Sequence, residues 1–487
     1  MRRTSIEAIP MDVPPYGLSG VVYGTLMNQR GALAALGAAA SGPPYKAPPV
    51  APVLYVKPRN TLNGPGGAIG LPADVPELET GATLGLVFGR TACRVAPADA
   101  LEYVGGYTIV NDLSVPHADF YRPSIRLKAR DGSCCIGPGV IARVRIADPD
   151  ALGIRVYVDG QLAQQGSTRE LVRPVRQLIA DVTEFMTLQP GDVLLVGVRR
   201  GLAARARGAG RGGRDRRPRA AREPRGRRGG GRERGMKRAR VAYAGAIHEA
   251  TPAAADAVRL ADGRVVSEES LVWLPPFEVG TIIALGLNYA DHAKELAFSP
   301  QEEPLVFLKG PGALIGHRGQ TRRPADVKFM HYECELAVVI GRPARRVRRA
   351  DAMAHVAGYT IANDYAIRDY LENWYRPNLR VKNRDACTVI GPWLVDAADV
   401  PDPGNLALRT RVNGVVTQQG NTRDLVHDIP YLIEYLSSFM TLGPGDVILT
   451  GTPEGVVNVN AGDEVVCEID GLGRLVNTIV GDAWFGR

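Results

Sequence analysis

The chain has 487 residues, 45% hydrophobic and 23% charged, which is the composition of a globular protein with more than one domain. The net charge of +8 is concentrated in residues 199–235, where fifteen Arg and three acidic residues give +12, so the remainder carries −4 and indicates no nucleic-acid or membrane partner. A membrane span, a secretion signal and a disulfide framework are not expected, because long apolar runs are absent and the six cysteines are scattered, which predicts a cytoplasmic protein.

The predicted elements are mostly short apolar strands bounded by Gly, Pro and Asp. In the first half, the DG pair at 159–160 predicts a hairpin. The second half gives, in chain order, a helix at 291–298, strands at 335–341 and 358–364, an NG hairpin turn at 413–414, a helix at 429–440, and strands at 446–451 and 463–471. The pattern therefore predicts a fold that is mostly β with some α, without the βαβ alternation of a dinucleotide fold.

Several segments occur twice. GGYTIVND (105–112) recurs as AGYTIAND (357–364), and EFMTLQPGDVLLVG (184–197) recurs as SFMTLGPGDVILTG (438–451). The offsets of 252 and 254 residues are too long for a solenoid, so they indicate two homologous domains in tandem. We predict a first domain at 1–198, an Arg/Gly-rich disordered linker at 199–235 and a second domain at 236–487.

Carboxylates cluster in the second domain. Glu333 and Glu335, in YECELAVVIG (332–341), point to the same face of a strand, where their like charges require a cation. Asp364 follows the strand GYTIAN, and Lys382 lies just past another short strand in RVKNRD. Three carboxylates without a nearby His or Cys favour Mg²⁺ or Mn²⁺ over zinc.

Six ordered motifs over residues 279–487 resemble the fumarylacetoacetate hydrolase superfamily. They are GLNYADHAKEL, FLKGPGALIG, YECELAVVIG, GYTIANDYAIRD, RVKNRD and LTGTPEGV. The resemblance implies two tandem β-rich domains, each a mixed β-sheet roll, and a Mg²⁺ or Mn²⁺ ion held by Glu333, Glu335 and Asp364. It also implies that the ion would polarise a 2-oxo acid and favour its enolate.

The resemblance assigns further roles by position. Lys382 matches the active-site lysine, and His292 with Glu295 matches a lid pair that acts as general acid and base. The positions that would line the pocket and contact substrate carboxylates are Lys309, Arg368, Gln419 and Thr452. The expected partner is a small di- or tricarboxylate 2-oxo acid.

The first domain lacks these metal ligands. Aligning TGATLGLVFG (80–89) with YECELAVVIG places Gly81 at Glu333 and Thr83 at Glu335, whereas Asp112 and Lys128 persist. The first domain is therefore expected to be metal-free. It is either a structural partner or a site for a different, Lys-assisted step.

A metal-poor first domain followed by a metal-binding second one resembles the bifunctional tandem members of the superfamily in 4-hydroxyphenylacetate degradation. The resemblance implies decarboxylation of 5-oxopent-3-ene-1,2,5-tricarboxylate and isomerisation of 2-hydroxyhepta-2,4-diene-1,7-dioate. One alternative is an acylpyruvate- or fumarylpyruvate-type hydrolase of the same superfamily. A second alternative is an RNA-binding protein that uses the Arg/Gly-rich segment, although that segment has no aromatic residues for stacking. The sequence leaves the oligomeric state open, a homo-oligomer included.

The Arg-rich segment carries a second signal. Asp215–Pro224 admits codons that, read one base later, encode IDGLGRLEN, which agrees at eight of nine positions with IDGLGRLVN at 469–477. We therefore hypothesise that residues 199–235 are an out-of-frame reading of the last strands of the first domain.

Overall fold

A computed structural model describes residues 9–10, 20–71, 75–197, 199–205, 237–254, 256–291, 303–372 and 378–482. The strands of the first half are β1 (Ile9–Pro10), β2 (Val22–Leu26), β3 (Val53–Lys57), β4 (Leu62–Asn63), β5 (Glu77–Phe88), β6 (Val104–Asp112), β7 (Cys134–Ile136), β8 (Gly139–Ala142), β9 (Gly153–Val158), β10 (Gln161–Ser167), β11 (Val193–Leu195) and β12 (Arg199–Arg205). Its helices are α1 (Arg30–Ala34), α2 (Ile125–Lys128) and α3 (Val175–Thr183).

The second half repeats the pattern of the first, and additional strands at its start precede the repeated part. Its strands are β13 (Lys237–Tyr243), β14 (Ala246–Pro252), β15 (Ala257–Leu260), β16 (Val265–Ser267), β17 (Val272–Leu274), β18 (Ile282–Gly286), β19 (Leu305–Lys309), β20 (Leu314–Ile315), β21 (Gln320–Arg322), β22 (Met330–His331), β23 (Cys334–Ile340), β24 (Val356–Asp364), β25 (Ala366–Ile367), β26 (Thr388–Asp396), β27 (Ala407–Val412), β28 (Val415–Asn421), β29 (Val447–Leu449), β30 (Glu464–Ile469) and β31 (Gly473–Val480). Its helices are α4 (Leu379–Lys382) and α5 (Ile429–Phe439).

The main sheets of the two halves share one strand order. The first runs β8-β6-β5-β11-β2-β3 and the second runs β26-β24-β23-β29-β18-β19. Along each of these runs one pair is parallel, β11 with β2 and β29 with β18, and the strands on either side of it pair antiparallel. A second parallel pair joins each sheet beside the run, β4 with β7 and β20 with β26. The predicted fold, mostly β with some helix and repeated twice, is confirmed. Among the described residues, no helix is long and apolar enough to cross a membrane.

Local sequence explains the elements that were predicted. Both hairpins turn at residues with positive φ, Asp159 with Gly160 and Asn413 with Gly414, as type I′ turns require. Helix α5 begins after Asp428, whose carboxylate accepts from the backbone N–H of Tyr431, and it buries an apolar face. The prediction for Lys382 was wrong in one respect, because this residue ends the short helix α4 and does not follow a strand.

The two halves pack against each other through a reciprocal pair of contacts. Asp385 accepts from the backbone N–H and hydroxyl of Thr187, at 2.8 and 2.6 Å. Asp131 accepts in the same way from Thr441, again at 2.8 and 2.6 Å. These residues are equivalent in the two copies, at an offset of 254, so the contact has internal two-fold character.

The copies differ after Gly197. In the second copy, hairpin β27–β28 belongs to a five-stranded sheet completed by β30, β31 and β21. In the described part of the first copy, the equivalent hairpin β9–β10 is a sheet of two strands. The predicted disorder of the Arg-rich segment does not hold for residues 199–205, which form β12 on β5. The backbone groups of an open sheet edge can pair with almost any chain, whatever its apolar content. The rest of that segment lies outside the described residues.

Candidate metal centre

Strand pairing brings the three predicted carboxylates together. Glu333 and Glu335 share one face of the chain at β23, and Asp364 ends the adjacent strand β24. The backbone N–H of Asp364 donates to the carbonyl of Glu333 at 2.9 Å, which fixes the register. One oxygen from each carboxylate lies within 4.8 Å of the others, and all three residues are buried.

Glu335 shows that the cluster suits a cation. Its Oε2 accepts from the backbone N–H of Gly451 at 2.6 Å, whereas its Oε1 is buried and has no hydrogen-bond partner among the described residues. Burial, and then the charges of Asp364 and Glu333, raise the pKa of Glu335 well above its ordinary value. A buried oxygen without a donor, in an oxygen-only set of three carboxylates, fits a divalent ion such as Mg²⁺ or Mn²⁺.

Two lysines complete the cluster. The Lys382 ammonium donates to Glu333 and lies 2.9 Å from Asp364 Oδ2. Burial lowers the pKa of Lys382. The neighbouring carboxylates, Asp364 and Glu333 foremost, raise it by more than burial lowers it, so the pKa lies above its ordinary value. Lys309 lies 2.5 Å from Asp364 Oδ1 and donates to the carbonyl of Lys382. Two ammonium groups against three carboxylates leave a net charge of −1, which a divalent ion converts to +1.

The geometry of Lys309 differs from its predicted role as a contact for the substrate. Its side chain is fully buried, and its ammonium group is engaged by Asp364 and by the backbone of Lys382. These contacts favour a positioning role, in which Lys309 holds a carboxylate and the short helix α4 in place.

The remaining predicted residues fall into three groups. Thr452 is buried and accepts from Gln418 Nε2 at 2.9 Å, whereas Gln419, the predicted neighbour of the substrate, is exposed. Alternation along β28 turns the two glutamines to opposite faces, so Gln418 is the residue beside Thr452.

Arg368 is half-buried, and its backbone N–H donates to the carbonyl of Phe329. His292 and Glu295 lie outside the described residues, so their lid role stays a prediction.

His331 lies beside the cluster, so the expectation that no His stands near the three carboxylates was wrong. It is fully buried, and its Nδ1 lies 3.7 Å from Glu333 Oε1. Burial lowers the pKa of His331 to about 3, so the ring is neutral at physiological pH. The signal was present in the sequence, because His331 precedes Glu333 by two residues and alternation places both on one face.

The first copy holds a different arrangement at the same place. Asp112 lies 2.8 Å from both Lys57 and Lys128, and the Tyr55 hydroxyl donates to its Oδ2 at 2.5 Å. Burial raises the pKa of Asp112, but Lys128 and Lys57 outweigh it and hold the pKa at about 2. Lys57 was missed in the sequence, although it stands 252 residues before Lys309. In the part of the chain that the structure describes, only the second copy assembles three such metal-ligating side chains.

Comparisons with known proteins agree with this duplicated architecture. The family model described as fumarylacetoacetate (FAA) hydrolase C-terminal matches residues 21–224 and 281–480. The chain is 46% identical over 463 residues to the 4-hydroxyphenylacetate degradation bifunctional isomerase/decarboxylase of Salmonella dublin, which covers 95% of this chain and 99% of that protein. It is 45% identical over 465 residues to the homoprotocatechuate catabolism bifunctional isomerase/decarboxylase of Escherichia coli, with 96% and 99% covered.

Among solved structures, the 5-carboxymethyl-2-hydroxymuconate delta-isomerase of Mycobacterium smegmatis is 39% identical, with a TM-score of 0.45 over 51% of this chain and 99% of that one. The two matches of the family model and the full-length similarity to the tandem relatives lead to one conclusion. The chain belongs to the fumarylacetoacetate hydrolase family and carries the family domain twice.

Proposed function

We propose that this chain decarboxylates 5-oxopent-3-ene-1,2,5-tricarboxylate and isomerises 2-hydroxyhepta-2,4-diene-1,7-dioate in the catabolism of 4-hydroxyphenylacetate. The observation that carries the proposal is the buried cluster of three carboxylates and two lysines, in which one Glu335 oxygen has no donor among the described residues. Near-complete coverage of relatives named for these two activities supports the choice of reaction.

Glu333, Glu335 and Asp364 would hold the metal ion, and oxygen-only ligands suit Mg²⁺ or Mn²⁺. When bound, the ion supplies Lewis-acid polarisation of a 2-oxo carboxylate and stabilises the negative charge that develops on its carbonyl oxygen. The protein supplies a dry, fixed setting, because the side chain of Glu335 is wholly buried and that of Glu333 nearly so. Electrostatic interactions are stronger in such a setting than in water.

Lys382 is the charged group best placed to bind substrate. Its ammonium lies between Glu333 and Asp364, and its side chain is 9% exposed, whereas that of Lys309 is fully buried. Lys382 would hold a carboxylate or the developing enolate oxygen. Lys309 would keep Asp364 and the end of α4 in register. We assign proton transfer to His292 and Glu295, which would deliver a proton to the substrate carbon after CO₂ leaves and move it between carbons in the isomerisation.

This assignment implies an enzyme that acts on a small molecule. We propose that it is cytoplasmic and has no nucleic-acid partner. All six cysteines are free thiols, which is the state that a reducing compartment favours. The RNA-binding alternative finds no support, since the relatives that match 95% of the chain are named as enzymes. The hydrolase alternative is separated by product analysis. Incubation of purified protein and Mg²⁺ with the tricarboxylate should release CO₂, whereas a hydrolase would give two acids from an acylpyruvate and no CO₂.

A further inference from the structure

The described part of the first copy lacks the two strands that cover the main sheet of the second copy. In the second copy, β30 and β31 pack against β24, and Ile361 on β24 is 1% exposed. The equivalent residue of the first copy, Ile109 on β6, is 67% exposed. Among the described residues, no strand of the first copy stands at the positions of β30 and β31, so an apolar part of its sheet faces solvent.

Strand β9 has an open edge for the same reason. Its counterpart β27 pairs with β28 on one side and with β30 on the other. Within the described ranges, β9 pairs with β10 alone. Ile154 and Val156 on β9 are half-buried, whereas their counterparts Leu408 and Thr410 are 2% and 0% exposed. The backbone groups of β9 and its inward apolar side chains can therefore accept one more strand.

The strand that covers β27 shows what such an edge requires. Val465, Cys467 and Ile469 stand at every second position of β30, and all three are buried. A strand that replaces β30 must offer the same apolar alternation. Residues 206–235 contain no Val, Ile, Leu, Met or aromatic residue, so the Arg-rich segment does not supply it.

Strand β9 carries this alternation itself, with Ile154, Val156 and Val158 at every second position. Two copies of β9 can lie antiparallel about a two-fold axis through Val156. Val156 then faces Val156 of the partner subunit, and Ile154 faces Val158 of the partner subunit. These inward pairs match those between β27 and β30, such as Leu408 with Ile469.

The outward side chains are complementary in the same register. Arg155 comes to lie opposite Tyr157 of the partner subunit, and the symmetry makes this contact twice. Both residues are exposed, Tyr157 at 59%. A guanidinium group stacks favourably on a tyrosine ring, and the register keeps the two Arg155 side chains apart. In the second copy the corresponding outward pair is Arg409 with Glu468, which is also attractive.

We propose that the open edge of β9 is an interaction surface for a second copy of this chain, in which β9 of each chain fills the place that β30 has in the second domain. The product is a closed dimer with a four-stranded sheet, β10-β9-β9-β10, across its two-fold axis. This inference goes beyond the proposed function, because it involves neither the metal centre nor any residue assigned to either reaction.

The test is sedimentation equilibrium of the full-length chain, which should show a monomer–dimer equilibrium. Tyr157→Lys places an ammonium group opposite Arg155 of the partner subunit at two symmetric positions. It should raise the dissociation constant of the dimer at least about tenfold, because like charges that face each other across strands repel. The matched control, Tyr157→Glu, removes the same ring but places a carboxylate there, so it should keep the dissociation constant within about threefold.

A wild-type chain that stays monomeric at every concentration would overturn the proposal, because the edge would then be left open or covered within one chain. An equal loss in the two variants would overturn it as well, since β9 would not pair in this register. Assembly beyond the dimer would contradict closure by a two-fold axis. Unchanged Mn²⁺ affinity shows that each variant is folded. Failure of the proposed reactions would appear as an absence of CO₂ release and would leave the sedimentation result unaffected.

Discussion

Lys382 Nζ lies 2.9 Å from Asp364 Oδ2, and the same ammonium group contacts Glu333. One lysine thus bridges two carboxylates of a buried triad, while the third carboxylate, Glu335, retains an oxygen without a donor among the described residues. Lys382 and Lys309 together offset part of the repulsion and leave the triad one negative charge in excess. This relationship accounts for how the protein can fold with three buried carboxylates and still attract a divalent ion.

Asp364→Asn should weaken Mn²⁺ binding by about a hundredfold or more, because it removes one of three carboxylate ligands. The matched control is Asp112→Asn, which makes the same change at the equivalent position of the metal-free copy and should leave Mn²⁺ affinity unchanged. Titration of each variant by electron paramagnetic resonance of free Mn²⁺ measures both. Equal loss in the two variants would place the metal elsewhere.

Metal affinity should rise with pH. Because the pKa of Glu335 is raised, a proton competes with the ion for this carboxylate up to a higher pH than at an ordinary glutamate. A raised carboxyl pKa stabilises the metal-free fold at pH values below the ordinary pKa of that group. This contribution is lost as the pH rises through the folded-state pKa. The increase in melting temperature caused by Mg²⁺ should therefore grow as the pH rises above the ordinary pKa of a glutamate. Glu335→Gln should abolish that growth; an unchanged slope in this variant would assign the proton to another group.

His292→Ala should lower turnover by about 10²- to 10⁴-fold and leave metal affinity unchanged, as expected for a group that transfers protons and does not coordinate the ion. His248→Ala, a change to a half-buried histidine on β14, serves as the control and should keep full activity. If His292→Ala turns over at the wild-type rate, His292 has no part in the reaction.

The gene should show a shift of reading frame between the codons for Gly197 and Met236. In the second copy β27 pairs with β30, whereas in the described part of the first copy β9 pairs only with β10. A frame-restored chain would supply the two strands that complete this sheet, so it should melt at a higher temperature. Resequencing from an independent source decides the matter: an unbroken frame whose codons cannot yield IDGLGRLEN rules the hypothesis out.

Sequence reasoning reached the parts of the site that depend on local periodicity. Alternation along a strand placed Glu333 beside Glu335, and an apolar strand ending at Asp364 brought the third carboxylate alongside. It missed what depends on long-range register. Gln418 and Gln419 are adjacent and look alike in the sequence, and only the pairing of β28 shows that Gln418 is the one that reaches Thr452.

The lysines show the same limit. Local sequence patterns cannot reveal that Lys309 contacts Asp364 and the Lys382 carbonyl, because these contacts join three separate segments. The composition of residues 199–205 predicts disorder, whereas in the structure these residues pair with the open edge of β5. Composition carries no information about a neighbouring unpaired edge.

We propose that the cluster of Glu333, Glu335 and Asp364 makes this chain a metal-dependent decarboxylase. The most direct test measures CO₂ release from 5-oxopent-3-ene-1,2,5-tricarboxylate by EDTA-treated wild-type protein, before and after Mg²⁺ is added, beside the Asp364→Asn variant. CO₂ release should be negligible after EDTA, should recover when Mg²⁺ is added, and should not recover in the variant. Full CO₂ release from the EDTA-treated protein would show that decarboxylation does not depend on the metal ion.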